Sequence, residues 1–484
     1  MNSTPVANKA PHPHRWLAFA VLLVGAFLPP LDFFIVNVAL PSIRGGLGAS
    51  AAEMQLVISG YAAAYAVFLI TGGRLGDLYG RKRVFLGGLA GFGVASMMCG
   101  LASSPSMLIV GRVLQGLSAA VMAPQGLASV QALFPEHERA RALAMYGATI
   151  GLAAIVAQTL GGALIAANLG DLQWRVIFLI NLPIIAAVFI GGIPLLPDAR
   201  SGHPMPLDRV GVLLCGLALG LLVVPLVEGP ERNWPWWTCG MLAASPLFAV
   251  AFWRYEQALA RSGGTPLIDP QLRRAPGLAV GLTGVLFFYV VSAFFLTFSV
   301  YLQEALGYSA LAAGAMFVPC GLGFLIGPLT TPIAIRWFGR WVPALGMMLE
   351  VTGCLVLSAA VAAAPAAQAP HAAAVIVALG LIGFGQGWAV PTLVRTVIDR
   401  APAGGAGMVS GIVNSALQIS AALGVAIFGG VFFRFAGVAP TPSSMAHAFS
   451  ITMTCIAASL LVAAVLSVRA AMPGRSRRPE QRHI

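Results

Sequence analysis

Fourteen times along its 484 residues the chain runs for about twenty residues with almost no charge, the length a helix needs to cross a bilayer core. A chain built almost wholly of such runs has few other ways to fold, because backbone groups in lipid must be satisfied within each segment. The first eight runs lie at 16–42, 54–73, 84–103, 107–133, 143–167, 176–196, 208–227 and 236–256. The other six lie at 277–302, 310–334, 342–364, 371–394, 408–433 and 448–468. With 58% hydrophobic and 9% charged residues and a mean hydropathy of +0.87, the chain could not cover a soluble surface. Barrel strands need only about ten residues each, so the expected class is an all-α integral membrane protein.

The cations fix an orientation. With fourteen spans both termini share one side, and the loops on that side hold 23 of the 28 Lys and Arg residues. The opposite loops hold Arg44, Arg175, Arg232 and Arg434, and Arg112 falls inside a span. A bias of this size places both termini in the cytoplasm, here of a bacterial inner membrane. The net charge of +12 is spread over short loops rather than gathered in a patch, so it reads as topology and not as a nucleic-acid surface. The six cysteines form no C-x-x-C or metal spacing, and neither a metal nor a cofactor is expected.

A faint repeat divides the chain. Gly80-Arg81 recurs as Gly339-Arg340, Met145 as Met408, and Leu160-Gly161 as Leu423-Gly424. The expected organisation is a cytoplasmic tail (1–15), a six-helix bundle (16–197), an inserted helix pair with its loops (198–275), a second six-helix bundle (276–468) and a basic tail (469–484) in contact with anionic lipid. Two bundles so related enclose a site near the midplane.

Ionisable groups inside spans are costly and mark function by default. Asp32 follows Pro29-Pro30, which break the first helix, and desolvation against a nearby cation would let it alternate between charged and neutral forms. Arg112, a few residues inside the fourth span, stays charged and can tune such an acid or hold an anion. Glu350 lies near the bilayer midplane. Asn37, Gln115, Gln158, Asn181, Gln386, Asn414 and Gln418 are candidate cavity-lining residues, with helix–helix hydrogen bonding as the competing role for each. Between the second and third runs, Gly72 to Arg83 form a glycine-broken basic loop in which Asp77 can pair with a cation or a helix N-terminus.

That loop, through Gly73, Asp77, Gly80, Arg81 and Lys82, resembles the signature of major facilitator superfamily transporters. Leu31-Asp32 with Asn37-Val38-Ala39-Leu40-Pro41, Gly111-Arg112-Val113-Leu114-Gln115-Gly116, Trp174 to Pro183, and Tyr301-Leu302-Gln303 with Leu306-Gly307-Tyr308-Ser309 resemble the fourteen-span drug:proton antiporters. One departure is the fifth helix, where Ala157-Gln158 replaces the family's Gly-Pro pair. The resemblance implies a fold of six, two and six helices. It further implies proton-driven export of small amphipathic compounds by alternating access, with Asp32 and Arg112 in proton coupling and Asp77 and Arg81 in a conformational gate. A proton-coupled uptake symporter and a non-transporting receptor are the alternatives. No nucleophile–base or metal constellation suggests an enzyme, no phosphate-binding loop suggests ATP, and a periplasmic adaptor stays open as a partner.

Overall fold

The computed structural model describes residues 14–198, 206–270, 272, 275–365, 367–401, 406–437 and 439–472. The polar tail ahead of His14, the pair Arg273 and Arg274, and the basic tail Arg475–Arg482 lie outside the described residues. Among the described residues the apolar runs become fourteen long helical segments. In the first half these are α1 (Arg15–Leu47), α2 (Ala51–Tyr79), α3 (Arg81–Gly100), α4 (Pro105–Leu133), α5 (Glu136–Ala167) and α6 (Gln173–Leu195). The inserted pair is α7 (Arg209–Glu231) and α8 (Trp236–Arg261). The second half holds α9 (Leu278–Ala305), α10 (310–338), α11 (Val342–Ala363), α12 (Ala372–Ile398), α13 (Gly407–Ala436) and α14 (Pro442–Ala471). Ala310–Ala363 is apolar without interruption over 54 residues. One helix of that length would measure about 81 Å, far more than a bilayer, and the chain turns at Gly339 (φ 54°) to make two spans.

Seven of the helix starts show two different devices. On the face away from the termini, side chains cap them: Ser50 with Glu53 in a reciprocal box for α2, Ser104 ahead of Pro105 for α4, Ser309 for α10 and Thr441 for α14. On the face that carries the termini, α3, α9 and α11 instead follow glycines with positive φ, Gly80 (95°), Gly277 (82°) and Gly339 (54°). The repeat seen in the sequence as Gly80-Arg81 and Gly339-Arg340 therefore puts a glycine of positive φ at each turn.

Each half packs its own helices closely. A Cβ on Gly116 would lie 2.2 Å from the Tyr61 carbonyl oxygen, so α2 and α4 touch backbone to backbone. The halves meet along α2 and α13, where Gly429 approaches Gln55 and Gly411 approaches Ile70, and again on the face away from the termini. There Gly162 faces the Ala310 carbonyl and Gly314 the Gln158 carbonyl, joining α5 to α10. Between α1 and α9, Phe34 and Phe295 stack edge to face at 4.9 Å, the Gln303 amide donates to the Val38 carbonyl at 2.9 Å, and Arg44 pairs with Glu304 at 2.9 Å. α5 bends by 41° between Ala154 and Val156, so the helix keeps a bend where the Gly-Pro pair is replaced.

The inserted pair is pinned to α2 at both ends. At one end the Glu231 carboxylate accepts from the Ala52 amide at 2.7 Å and the Ser50 hydroxyl at 3.2 Å. At the other, the buried Arg74 guanidinium donates to the carbonyls of Pro206 (3.2 Å), Thr265 (3.0 Å) and Pro266, gathering both flanking linkers.

Candidate functional site

Five helices of the first half close around one acid. Asp32 on α1 and Arg112 on α4 are fully buried and form an ion pair through Oδ2 and Nη1. The other carboxylate oxygen accepts from the Gln115 amide at 3.0 Å and from the Asn181 amide of α6 at 2.9 Å. Gln115 is set by four partners. Its oxygen accepts from Arg112 at 2.9 Å and faces the Cys99 thiol at 3.3 Å, and its nitrogen donates to Asp32 and to Ser96 of α3 at 2.9 Å. Arg112 Nε donates to the Val57 carbonyl of α2 at 3.0 Å, and the guanidinium lies 4.3 Å from the Tyr61 ring. The Tyr61 hydroxyl donates to the Pro29 carbonyl at 3.1 Å, which ties α2 to the proline-marked turn of α1.

Electrostatically the cluster is a desolvated pair held by neutral dipoles. Such a pair is stable only while both charges are present, because removing either leaves a buried charge unmatched. Arg112 Nη2 has no partner, so the guanidinium is not fully satisfied even here. The acid also connects to the seam between the halves, since α1 carries both Asp32 and the residues Phe34, Val38 and Arg44 that meet α9.

At the other end of α2, Asp77 lies 3.8 Å from Arg81, and Arg81 donates to the Ala128 carbonyl of α4 at 2.8 Å. The loop is thereby latched to α4. Gln125 of α4 reinforces it by donating to the Gly72 carbonyl at 2.6 Å. Gly73 approaches Pro124, Gly80 supplies the positive φ, and Lys82 stays half-buried.

The remaining candidates are dispersed. Asn37 is buried and donates back to the Phe33 and Phe34 carbonyls of its own helix (3.4 and 3.1 Å). Gln158 is buried at the contact with α10, its amide without a partner. Gln386 is buried, Gln418 half-buried, and Asn414 exposed with its amide on the Ser410 carbonyl at 2.9 Å. Glu350 on α11 is fully buried and both its oxygens lack partners. Of the polar residues expected along a cavity, Gln115 and Asn181 instead join the Asp32 cluster.

Sequence reasoning missed Tyr61, Ser96 and Cys99 as members of the cluster, and Arg74 as the staple of the inserted pair. Ser96 and Cys99 carry no charge and lie in an otherwise apolar run, so nothing flags them. For Arg74 the signal was present: a cation just inside the loop glycines, beside a chain that must return twice to the same face.

The chain matches the Major Facilitator Superfamily over residues 22–425. It is 35% identical to a probable actinorhodin transporter of Streptomyces coelicolor (90% of this chain, 76% of that protein). It is 34% identical to a puromycin resistance protein of Streptomyces alboniger (96% and 94%) and 32% identical to a tetracenomycin C resistance and export protein of Streptomyces glaucescens (88% and 77%). Among solved structures, a bacterial homologue of the human drug peptide transporters aligns with a TM-score of 0.67 at 13% identity, over 94% of this chain and 98% of that one. A bacterial homologue of the human lysosomal transporter Spinster, in an inward-facing and unoccupied conformation, aligns at 0.66 and 17% identity, over 96% and 98%.

Proposed function

Because the chain belongs to the Major Facilitator Superfamily, and is therefore a multi-pass membrane transporter of small molecules rather than an enzyme, we propose that it exports drug- or antibiotic-like compounds in exchange for protons. The observation that carries the coupling is the buried Asp32–Arg112 pair on the helix that also forms the seam with the second half. Protonating Asp32 removes the charge that Arg112 balances and frees the Gln115 and Asn181 amides. α1 is then held less firmly against α4 and α6, and the seam through Phe34, Val38 and Arg44 can part. Substrate leaves on that side, and loss of the proton on the other side restores the pair. Asp77 and Arg81 act as the latch on the opposite face.

In this reading the bundles 16–197 and 276–468 are the two moving bodies, the inserted pair travels with the first through α2, and the termini lie in the cytoplasm of a bacterial inner membrane. The energetics allow it, since one proton crossing ~100 mV releases about 2.3 kcal/mol before any pH gradient is added. Cargo of the kind named for the relatives is proposed here too, with puromycin and tetracenomycin C as first probes.

Everted membrane vesicles with an imposed acid-inside gradient test this. Export predicts that puromycin or tetracenomycin C dissipates the gradient in vesicles containing the protein and not in vesicles lacking it. Movement of preloaded compound outward together with the proton would replace export by symport. Binding with no movement across the bilayer would remove transport altogether.

A further inference from the structure

We propose that Glu350 is a second proton-binding site, placed in the second half, so that each half of the transporter holds one proton-binding acid. The idea rests on the proton-coupled reading above and goes beyond it by assigning a further carrier.

Three observations support it. First, the side chain is fully buried in the described structure, and neither carboxyl oxygen has a hydrogen-bond partner or a cation. A charge could not be kept there, and a neutral acid without a partner holds nothing together; an apolar side chain of the same volume would pack at lower cost. Second, the stem of the side chain is clamped. α11 and α12 approach so closely that a Cβ on Gly385 would lie 2.4 Å from the Gly346 carbonyl oxygen and 2.8 Å from Glu350 Cγ. The carboxyl is thus held at a fixed place between two helices and cannot swing out to water.

Third, the backbone of the second half is irregular. α9 tightens into a 3-10 turn at Tyr289–Ser292. Within that turn, Val290 packs its backbone against Gly424, where α13 opens into a π-turn at Val425–Gly429. Short 3-10 and π turns inside long helices mark places where a helix can flex. α9 then runs on to Phe295, Gln303 and Glu304, which meet α1. The chemistry is the uptake of one proton by the carboxylate to give the neutral acid, and its return when α11 and α12 part at Gly346 and Gly385.

The full-length protein in lipid can be tested without a substrate by infrared difference spectroscopy between acidic and alkaline pH. The expected spectrum of wild type contains a protonated-carboxyl C=O band that is lost in Glu350→Gln and kept in Asp32→Asn. If Glu350→Gln fails to accumulate in the membrane, Glu350→Asp replaces it, and the same band should shift in frequency. Identical difference spectra for wild type and whichever Glu350 variant is measured would overturn the proposal, because the buried acid would then keep its proton throughout. Loss of the band in Asp32→Asn alone would also overturn it. Neither result touches the gradient assay in vesicles, which judges the proton-coupled reading separately.

Discussion

The two halves bury an acid each and treat it in opposite ways. Asp32 is matched by a guanidinium and two amides drawn from two helices, α4 and α6, and two more, α2 and α3, hold those partners. Glu350 has no partner, and glycines rather than polar groups bring its neighbours close. The same six-helix plan thus supports an acid held by a charge and an acid held by packing alone. What differs is the cation: Arg112 reaches Asp32 from α4, whereas no cation among the described residues pairs with Glu350.

That contrast can be broken most sharply at Asp32. Asp32→Asn should strand Arg112 in the bundle and lower stability by about 3–5 kcal/mol, read as a large drop in the thermal midpoint of protein in detergent. Replacing both partners, Asp32→Leu with Arg112→Met, should recover most of that loss while leaving gradient-driven transport absent; continued instability of the double variant would mean that the pair adds net stability. In the other half Gly385→Ala should cost about 1–3 kcal/mol by forcing α11 and α12 apart at Glu350, again measured by thermal unfolding. Glu350→Gln, by contrast, should change stability by no more than about 1 kcal/mol, since no hydrogen bond is lost. The smallest effect is expected at the partly exposed seam pair, where Glu304→Gln should shift the balance between conformations by about 1 kcal/mol or less, measured by cysteine accessibility on the seam.

The fold was legible because its signal is long-range and repetitive. Twenty-residue apolar runs and a one-sided distribution of cations need no knowledge of packing, and the glycines at 80 and 339 mark their own turns. The site was only half legible. Asp32 and Arg112 stand out because charge is rare inside a span, and α1 and α4 bring them together. Ser96, Cys99 and Tyr61 are ordinary in an apolar helix and acquire a role only from the helices facing them. Asn37 shows the reverse: its sequence setting suggests a lining residue, yet its amide turns back to its own helix, a competition that spacing cannot resolve.

The central claim, that Asp32 is the acid whose protonation drives exchange, is tested most directly by gradient-driven uptake of puromycin into everted vesicles as a function of pH, for wild type and Asp32→Asn. The account predicts pH-dependent accumulation by wild type and none by the variant, although the variant is present in the membrane. Accumulation by Asp32→Asn equal to wild type, with the same pH dependence, would contradict it.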